Sequence, residues 1–536
     1  MKETFFRSMT WLHTWVGLTV CWLLLLIFFA GTLSFFRPEI SLWMEPAFHQ
    51  VQPSTAAGLQ AQQYQLIEQG VAKLAQQAPA SGHWFIELPD ERTPLLGLSY
   101  EKTEPGLSRR DRFQHDYYDA ATMEKIDGQR QTRGGDFFYR LHFDLHYLDV
   151  LTARWLVGFA SLFMLIALIS GVVIHKRIFA DLFSFRANKG SRSWLDLHNV
   201  SSVLALPFHL MITYTGIITL IFMYFPYAMQ TTFDGDFSKF YQQIDPTQRH
   251  VEASGQKLAM ADISLMLQQV KQQWPDVSIS RVTVEHPYDS TATVLFSASP
   301  GTAVRDQQPR LLFNAQTAQL MAQSPVELSA SETFFDSMTA LHTGRLAQPL
   351  LRWLYFFCGV AGCVMIASGC MMWAKRIRER LKQPASFGLR LVETLNLGTV
   401  LGLPLASAGY FYANRLLPVD LPGRAQWEIH TFFLCWLALL LLACWRRDQQ
   451  SWRFGSILVA LALAGVPLLN ALTTDHSLLG YLQQGQWALA GLELTCLLFA
   501  LLFLLLARGL SQLASPQSGA QRPSQRVRPP LQELAK

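Results

Sequence analysis

Apolar and polar residues follow one another along this chain in long blocks rather than in single positions. Eight apolar blocks are long enough to cross a bilayer as an α-helix, which takes about 20 residues. They cover residues 13–36, 153–174, 197–224, 350–373, 390–412, 427–445, 453–472 and 487–507. The pattern therefore predicts a mainly α, polytopic membrane protein with about eight transmembrane helices, TM1 to TM8.

Two long polar segments, residues 37–150 and 225–348, separate TM1 from TM2 and TM3 from TM4. Each segment begins with a helix-like stretch and continues with alternating, strand-like runs. The helix-like stretches are Gln60–Gln77 and Met260–Trp274, and the strand-like runs include His83–Glu87 and Ser280–Val284. Helix, polar segment and helix thus occur twice, which indicates an internal duplication of the first four helices with two α+β domains.

The blocks divide the chain into a series of predicted units. These are TM1 (1–36), a first polar domain (37–150), TM2 (151–175), a loop with TM3 (176–224), a second polar domain (225–348), TM4 (349–374), four further helices (375–507) and a tail (508–536). A duplicated membrane unit of this kind usually holds its functional site between the two repeats. We therefore look for candidate chemistry in TM1 to TM4.

Composition and charge agree with a membrane location. Of the 536 residues, 50% are hydrophobic and only 15% are charged, and the mean hydropathy is +0.17, which excludes an ordinary soluble protein. Lysine and arginine cluster at 176–192, 375–382 and 446–453, whereas the loop 474–486 has none. The positive-inside rule predicts that both termini and the basic loops are cytoplasmic and that both polar domains are periplasmic. The net charge of +5 is modest and the basic residues cluster next to apolar blocks, so no nucleic-acid partner is expected.

Histidines are the candidate functional residues. Placing an ionisable side chain inside a bilayer is energetically unfavourable, so its presence there indicates a function. His13 and His198 open TM1 and TM3, each six residues after an arginine and hence at a similar cytoplasmic-side depth. His146 and His342 precede TM2 and TM4 near the periplasmic side. Four histidines at matched depths in two halves favour two pairs of axial iron ligands, one pair for each of two haem b groups.

Two further histidines have more than one interpretation. His209 follows His198 by eleven residues, about three turns of a straight helix, so both side chains would face the same way. His209 could then ligate the periplasmic-side haem or an intermediate one, or form a hydrogen bond across the bundle. His175 ends TM2 at the cytoplasmic boundary and is either an interfacial residue or a ligand.

His142 competes with His146 for the periplasmic-side haem, because it lies one helical turn earlier. The register of His146 resembles that of His342, since His146 follows the end of its strand pattern by 27 residues and His342 by 28. We therefore predict that His146 and His342 form the second pair.

Short motifs recur in the same order in the two halves. They are Leu12-His13 with Gly17, Leu145-His146 with Gly158, Leu197-His198, Leu341-His342, and the strand-turn endings Tyr118–Thr122 and Phe313–Thr317. Together they resemble the PepSY-associated transmembrane family over about residues 1–380, and within it the ferric-siderophore reductases of the bacterial inner membrane. The glycine usual in the PepSY ending is Met123 in one copy and Ala318 in the other, which argues against peptide binding. TM5 to TM8 are additional to the four-helix form of the family.

The resemblance implies an inner-membrane di-haem reductase that passes electrons across the bilayer to a periplasmic ferric siderophore and so releases its iron. The chain has no Gly-x-Gly-x-x-Gly motif, so the electron donor is expected to be a separate cytoplasmic protein, such as a flavoprotein. Arg154, Arg345 and Arg352 could pair with haem propionates or an anionic ligand, or anchor the interface. The alternatives are a transmembrane haem cytochrome that serves a quinone or another carrier, and a non-redox PepSY scaffold.

Overall fold

A computed structural model of the chain describes residues 2–52, 55–104, 106, 112–175, 186, 191–249, 251–381 and 384–514. Most of the predicted basic loop 176–192, residues 382–383 and residues 515–536 of the predicted tail lie outside the described residues. Within the described part, seven helices are long and apolar enough to cross a membrane, and one bent pair raises the number to eight. The prediction of a mainly α, polytopic membrane protein is confirmed.

The first half of the duplication starts and ends with a membrane helix. Its elements are α1 (Lys2–Ser34), α2 (Arg37–Trp43), α3 (Ala56–Gln77), β1 (His83–Glu87), β2 (Leu95–Glu101), β3 (Phe113–Asp119), α4 (Asp136–Asp144) and α5 (Val150–Ile174). Helices α1 and α5 are TM1 and TM2. The Asp149 carboxylate caps α5 by accepting a hydrogen bond of 3.1 Å from the Thr152 N–H, which fixes where TM2 begins.

The second half repeats this order. Its elements are α6 (Ser191–Leu204), α7 (Leu206–Thr219), α8 (Ile221–Tyr224), α9 (Tyr227–Phe233), α10 (Phe237–Ile244), α11 (Ile263–Gln273), β4 (Ile279–Glu285), β5 (Thr293–Ala298), β6 (Arg310–Asn314), β7 (Leu320–Gln323), α12 (Ala330–Thr343) and α13 (Pro349–Arg380). TM3 consists of α6 and α7, and α13 is TM4. The two parts of TM3 are bent by 69° at Ala205, two residues before Pro207, whose missing N–H weakens the helix there.

The strands of the two halves form one antiparallel sheet in the order β3-β2-β1-β4-β5-β6-β7. Strand β1 pairs with β4 at the seam between the halves. Helices α3 and α11 cover one face, where alternate residues such as Trp84 and Val282 are fully buried. The opposite face carries Glu87 and Arg281 and looks across a cavity towards the membrane helices. The two predicted α+β units therefore share a single sheet and a single core.

The remaining described helices pack against both halves, with α14 on α1 and α13 and with α19 on α2. They are α14 (Phe387–Val400), α15 (Gly402–Leu416), α16 (Arg424–Trp445), α17 (Gln449–Thr473), α18 (Leu478–Gln483) and α19 (Trp487–Ala514). TM5 consists of α14 and α15, and α16, α17 and α19 are TM6, TM7 and TM8. The buried Glu493 carboxylate of α19 accepts hydrogen bonds from Trp43 Nε1 (3.1 Å) and from Asn470 Nδ2 (2.9 Å). Polar contacts of this kind connect the four additional helices with α2 of the duplicated part.

Candidate functional site with two histidine pairs

Two pairs of histidines face each other between the two halves of the duplication. We call the membrane face that carries the N-terminus the terminal side. There the ring centroids of His13 and His198 are 6.2 Å apart. On the face beside the sheet, the sheet side, the ring centroids of His142 and His342 are 6.0 Å apart. Each pair takes one histidine from each half. Since 14 residues of α1 separate His13 from Ile27, which contacts His142, the pairs are about 21 Å apart along the helix.

The same backbone arrangement holds all four rings. Each histidine Nδ1 is hydrogen-bonded to a backbone carbonyl of a neighbouring helix, and the ring lies against the glycine four residues later; we call this a histidine seat. The seats are Ala167 (2.8 Å) and Gly171 for His13, Met365 (2.8 Å) and Gly369 for His198, Ile27 (2.7 Å) and Gly31 for His142, and Ile212 (3.1 Å) and Gly216 for His342. A Cβ at these glycines would lie between 2.7 and 3.2 Å from a ring atom. The glycines therefore let each imidazole approach the helix backbone.

The seats determine which ring nitrogen is available for other bonds. A carbonyl can only accept, so each Nδ1 carries the proton and each Nε2 keeps its lone pair. A hydrogen bond from Nδ1–H to a carbonyl is also the usual support of a metal-binding imidazole, because it fixes the ring and raises its basicity. In the part of the chain that the structure describes, none of the four Nε2 atoms makes a hydrogen bond.

The spacing within each pair fits a shared metal ion. Two imidazole nitrogens at about 2 Å from one metal, each with its ring centroid roughly 1.1 Å behind it, place the centroids about 6 Å apart. The observed separations are 6.2 and 6.0 Å. Among the described residues, no group of three or more His, Cys, Asp or Glu side chains could hold a metal ion. The spacing of each pair would suit two imidazole ligands of one haem iron.

The sheet-side pair differs from the predicted one, since His142 rather than His146 faces His342. Helix α4 ends at Asp144, and the next three residues have positive φ angles (51°, 47° and 23°), so the chain turns away from the bundle before His146. The His146 Nε2 accepts a hydrogen bond of 3.2 Å from the Gln426 side chain, and its ring stacks on Phe433. The predicted pair of His146 and His342 is therefore not formed.

His209 is buried against a carbonyl and a glycine four residues apart, as in the seats, but it contacts the carbonyl through Nε2 and faces no second histidine among the described residues. Its Nε2 lies 3.2 Å from the carbonyl oxygen of Cys358, and Gly362 follows four residues later against the ring. The ring contacts Phe28 and Phe208, and no second imidazole is in ring contact with it among the described residues. The 69° bend in TM3 also breaks the straight-helix spacing that would align His209 with His198. These contacts match the alternative in which His209 forms a hydrogen bond across the bundle.

His175 and the three arginines lie outside both pairs. His175 ends α5, and its backbone N–H donates to the Gly171 carbonyl of the His13 seat at 3.1 Å. The His175 Nδ1 is buried and has no hydrogen-bond partner among the described residues. The arginines form ion pairs with carboxylates: Arg154 with Asp144 (2.9 Å), Arg345 with Asp306 (3.5 Å) and Arg352 with Glu39 (3.3 Å). Their contacts agree with the interface-anchoring interpretation.

The seat glycines are functional candidates that reasoning from the sequence missed. The sequence does contain a signal, because Ser170-Gly171 and Ser368-Gly369 recur near the ends of TM2 and TM4. That repeat indicates the duplication, but it does not reveal which side chain lies against each glycine. The contact partners come from helix packing, which brings Gly171 to His13 across 158 residues of chain.

Comparison with known proteins agrees with this architecture. The family model described as PepSY-associated TM region matches residues 10–376, which include both halves of the duplication and all four paired histidines. The chain belongs to the PepSY-associated TM family. A relative from Pseudomonas aeruginosa, named uncharacterized protein PA4219, is 26% identical over 368 residues, which are 64% of this chain and 87% of the relative. The PepSY-associated TM match ends within α13, so α14 to α19 lie outside it.

Proposed function

We propose that this protein is an inner-membrane haem reductase that delivers electrons to a periplasmic ferric siderophore. The observation that carries this proposal is the fourfold repeat of the histidine seat, which arranges four imidazoles into two facing pairs. A separate cytoplasmic donor would supply one electron for each Fe(III) that is reduced to Fe(II). The softer Fe(II) ion binds oxygen ligands less tightly, so the siderophore releases it.

His13 and His198 would hold one haem, and His142 and His342 the other. A bis-histidine haem supplies a low-spin, one-electron carrier. The carbonyl of each seat keeps the proton on Nδ1, so that the neutral Nε2 would be free to bind iron. The two pairs lie about 21 Å apart along α1, which is most of the roughly 30 Å of hydrocarbon in a bilayer.

Charge supports the proposed direction of electron flow. The described ends of TM4 and TM6 on the terminal side carry Arg376, Arg378, Arg380, Arg446 and Arg447, whereas the loop 474–486 between TM7 and TM8 carries no lysine or arginine. By the positive-inside rule the terminal side is cytoplasmic. The sheet, and with it the pair of His142 and His342, would then lie on the periplasmic side, where a polar siderophore can approach.

The proposal is tested with purified protein in lipid nanodiscs. Wild-type protein should bind about two haem equivalents with a low-spin spectrum and, once reduced, should be reoxidised by a ferric siderophore. The His342→Ala variant should lose about one equivalent and this reoxidation, yet keep a terminal-side haem that a cytoplasmic-side reductant can reduce. His146→Ala is the matched control and should behave like wild type.

Three outcomes would contradict the proposal. Protein without a Soret band after expression with ample haem would favour a non-redox scaffold. Reoxidation of the wild type by quinones but not by ferric siderophores would favour a transmembrane cytochrome with another acceptor. Siderophore reduction at the wild-type rate by His342→Ala would remove the sheet-side pair from the path.

A further inference from the structure

A cavity of about 900 Å³ separates the polar face of the sheet from the membrane helices. Its roof is formed by the sheet, with Glu87 and Arg281 at the seam of the two halves. Its floor is formed by the sheet-side ends of TM1 and TM4 and by one face of TM8. Its volume lies within the range of about 300–1,000 Å³ that is typical of small-molecule sites.

Two residues that line the cavity are close in sequence to the sheet-side histidine pair. Leu33 lines it and follows Gly31, the seat glycine of His142, by two residues. Arg345 lines it as well and follows His342 by three residues. A molecule in the cavity would therefore contact residues two positions from the seat glycine of His142 and three positions from His342.

The walls of the cavity have two different characters. On one side, Glu39 binds two guanidinium groups, with distances of 2.6 Å from its Oε2 to Arg92 Nη2 and 3.3 Å from its Oε1 to Arg352 Nη1. Asp90 and Glu91 line the cavity as well, so this wall carries charges of both signs. Arg345, which pairs with Asp306 at 3.5 Å, adds a guanidinium whose side chain is 53% exposed. Arginine in such settings binds carboxylates and other anionic oxygens.

On the other side, TM8 supplies an apolar wall. The residues of α19 that line the cavity are Trp487, Ala488, Gly491, Leu492, Thr495 and Cys496. Phe36 of the TM1 end and Phe356 of TM4 continue the same surface. TM8 lies outside the family match, so this wall is added to the duplicated unit by the additional helices.

We propose that this cavity is the chelate-binding site and that TM8 makes it selective for amphipathic ferric chelates. The anionic oxygens of the chelate lie towards the Arg345 and Arg352 side, and its apolar part lies against the α19 wall. This inference rests on the proposed reductase function for the identity of the ligand. It assigns to TM8 a role in substrate specificity.

Gly491 offers a direct way to fill the cavity. It lines the apolar wall, and a Cβ built on it would meet nothing within 4 Å. The first side-chain atom of a residue at this position would therefore meet no neighbour, and tryptophan adds the bulk to occupy the cavity. Leu494 lies on the same helix outside the cavity lining and is 43% exposed, so Leu494→Trp adds the same bulk on the outer surface.

Binding is measured first, without reduction, with the gallium(III) form of an amphipathic phenolate–carboxylate siderophore and haem-loaded protein. Isothermal titration should show that Gly491→Trp weakens binding by about tenfold or more, whereas Leu494→Trp binds like wild type. Both variants should retain the haem content of the wild type. Equal affinity of Gly491→Trp and wild type, with haem content intact, would overturn the proposed site.

Reoxidation of the reduced protein then tests selectivity. Gly491→Trp should slow reoxidation by the amphipathic ferric chelate about tenfold and leave reoxidation by the small hydrophilic ferric-EDTA within about twofold. Equal slowing with both chelates would overturn the selectivity. If no chelate reoxidises the wild type while gallium chelate binding still depends on Gly491, the reductase function fails and the binding site stands.

Discussion

A Cβ on Gly31 would lie 2.7 Å from the ring of His142, closer than two non-bonded heavy atoms can pack. The absent side chain thus makes room for the imidazole that faces His342. Gly171, Gly216 and Gly369 stand in the same relation to the other three paired histidines. Glycine lowers helix stability by roughly 1 kcal/mol relative to alanine. The contact with a histidine ring explains why glycine occupies these four helix positions.

The first prediction concerns these glycines. Gly31→Val should displace the His142 ring and lower bound haem by about one equivalent, because the added carbons would occupy the space of the imidazole. Gly17→Val in the same helix is the control, since a Cβ at Gly17 meets nothing within 4 Å. Haem per protein, measured by the pyridine haemochrome spectrum, gives the answer. Full haem content in Gly31→Val would show that the seat does not support a ligand.

The second prediction separates the two histidines at the end of α4. His142→Ala should lose about one haem equivalent and one low-spin signal in electron paramagnetic resonance. His146→Ala should retain both, because its ring stacks on Phe433 and its Nε2 is bonded to Gln426. The reverse result would restore the pair predicted from the sequence register.

The third prediction concerns the attachment of TM8. Glu493→Leu leaves the N–H groups of Trp43 and Asn470 without their buried acceptor, which should lower the free energy of unfolding by about 1–3 kcal/mol. Both histidine pairs lie in other helices, so haem content at low temperature should not change. Thermal unfolding followed by tryptophan fluorescence measures the loss, with Leu494→Ala on the outer surface as the control. An unchanged Tm would contradict a stabilising role for these contacts.

The fourth prediction concerns pH. Burial lowers the pKa of His49 to about 3, and its ring is bonded to Tyr481 OH (2.8 Å) and to the Trp43 carbonyl (3.0 Å). An unfolded histidine has a pKa of about 6.5, so the stability that neutral His49 contributes is present above this pH and is lost as pH falls towards 3.

The His49→Gln variant isolates this effect, because glutamine retains a hydrogen-bonding side chain but does not titrate. Between pH 6.5 and 4.5, Tm should fall more steeply for the wild type than for His49→Gln. Burial raises the pKa of Glu45 to about 7, which acts in the opposite direction, but this contribution is common to both proteins and cancels in the difference. Parallel Tm curves would show that His49 takes up its proton in the folded state.

The membrane helices were predictable because their signal is local. Long apolar blocks identify TM1 to TM8 from composition alone, and the alternation in His83–Glu87 and Ser280–Val284 marks the two central strands. Their pairing was not predictable, since β1 and β4 are almost 200 residues apart and no local pattern specifies which edges meet. Two separate domains were therefore expected where one sheet forms.

The partner of His342 could not be fixed by counting residues. His342 precedes Trp353 by eleven residues, while His146 and His142 precede Trp155 by nine and thirteen, so each candidate deviates by two. The backbone decides between them, because three consecutive residues with positive φ carry His146 out of the helix. Such conformations are uncommon for Leu, His and Tyr, and a single sequence gives no sign of them.

The pairing of β1 with β4 joins the two halves, and each half contributes one histidine to each pair. Neither half contains a complete site, so the smallest functional unit of this architecture is two copies of helix, α+β unit and helix. A protein with a single copy could build the same histidine pairs only as a twofold-symmetric homodimer, with each pair shared between subunits. In this chain the continuous sheet and the covalent link hold both copies in one molecule, which leaves the two copies free to diverge. His209 in the second half, which has Leu24 at the corresponding distance from His13, is one result of that freedom.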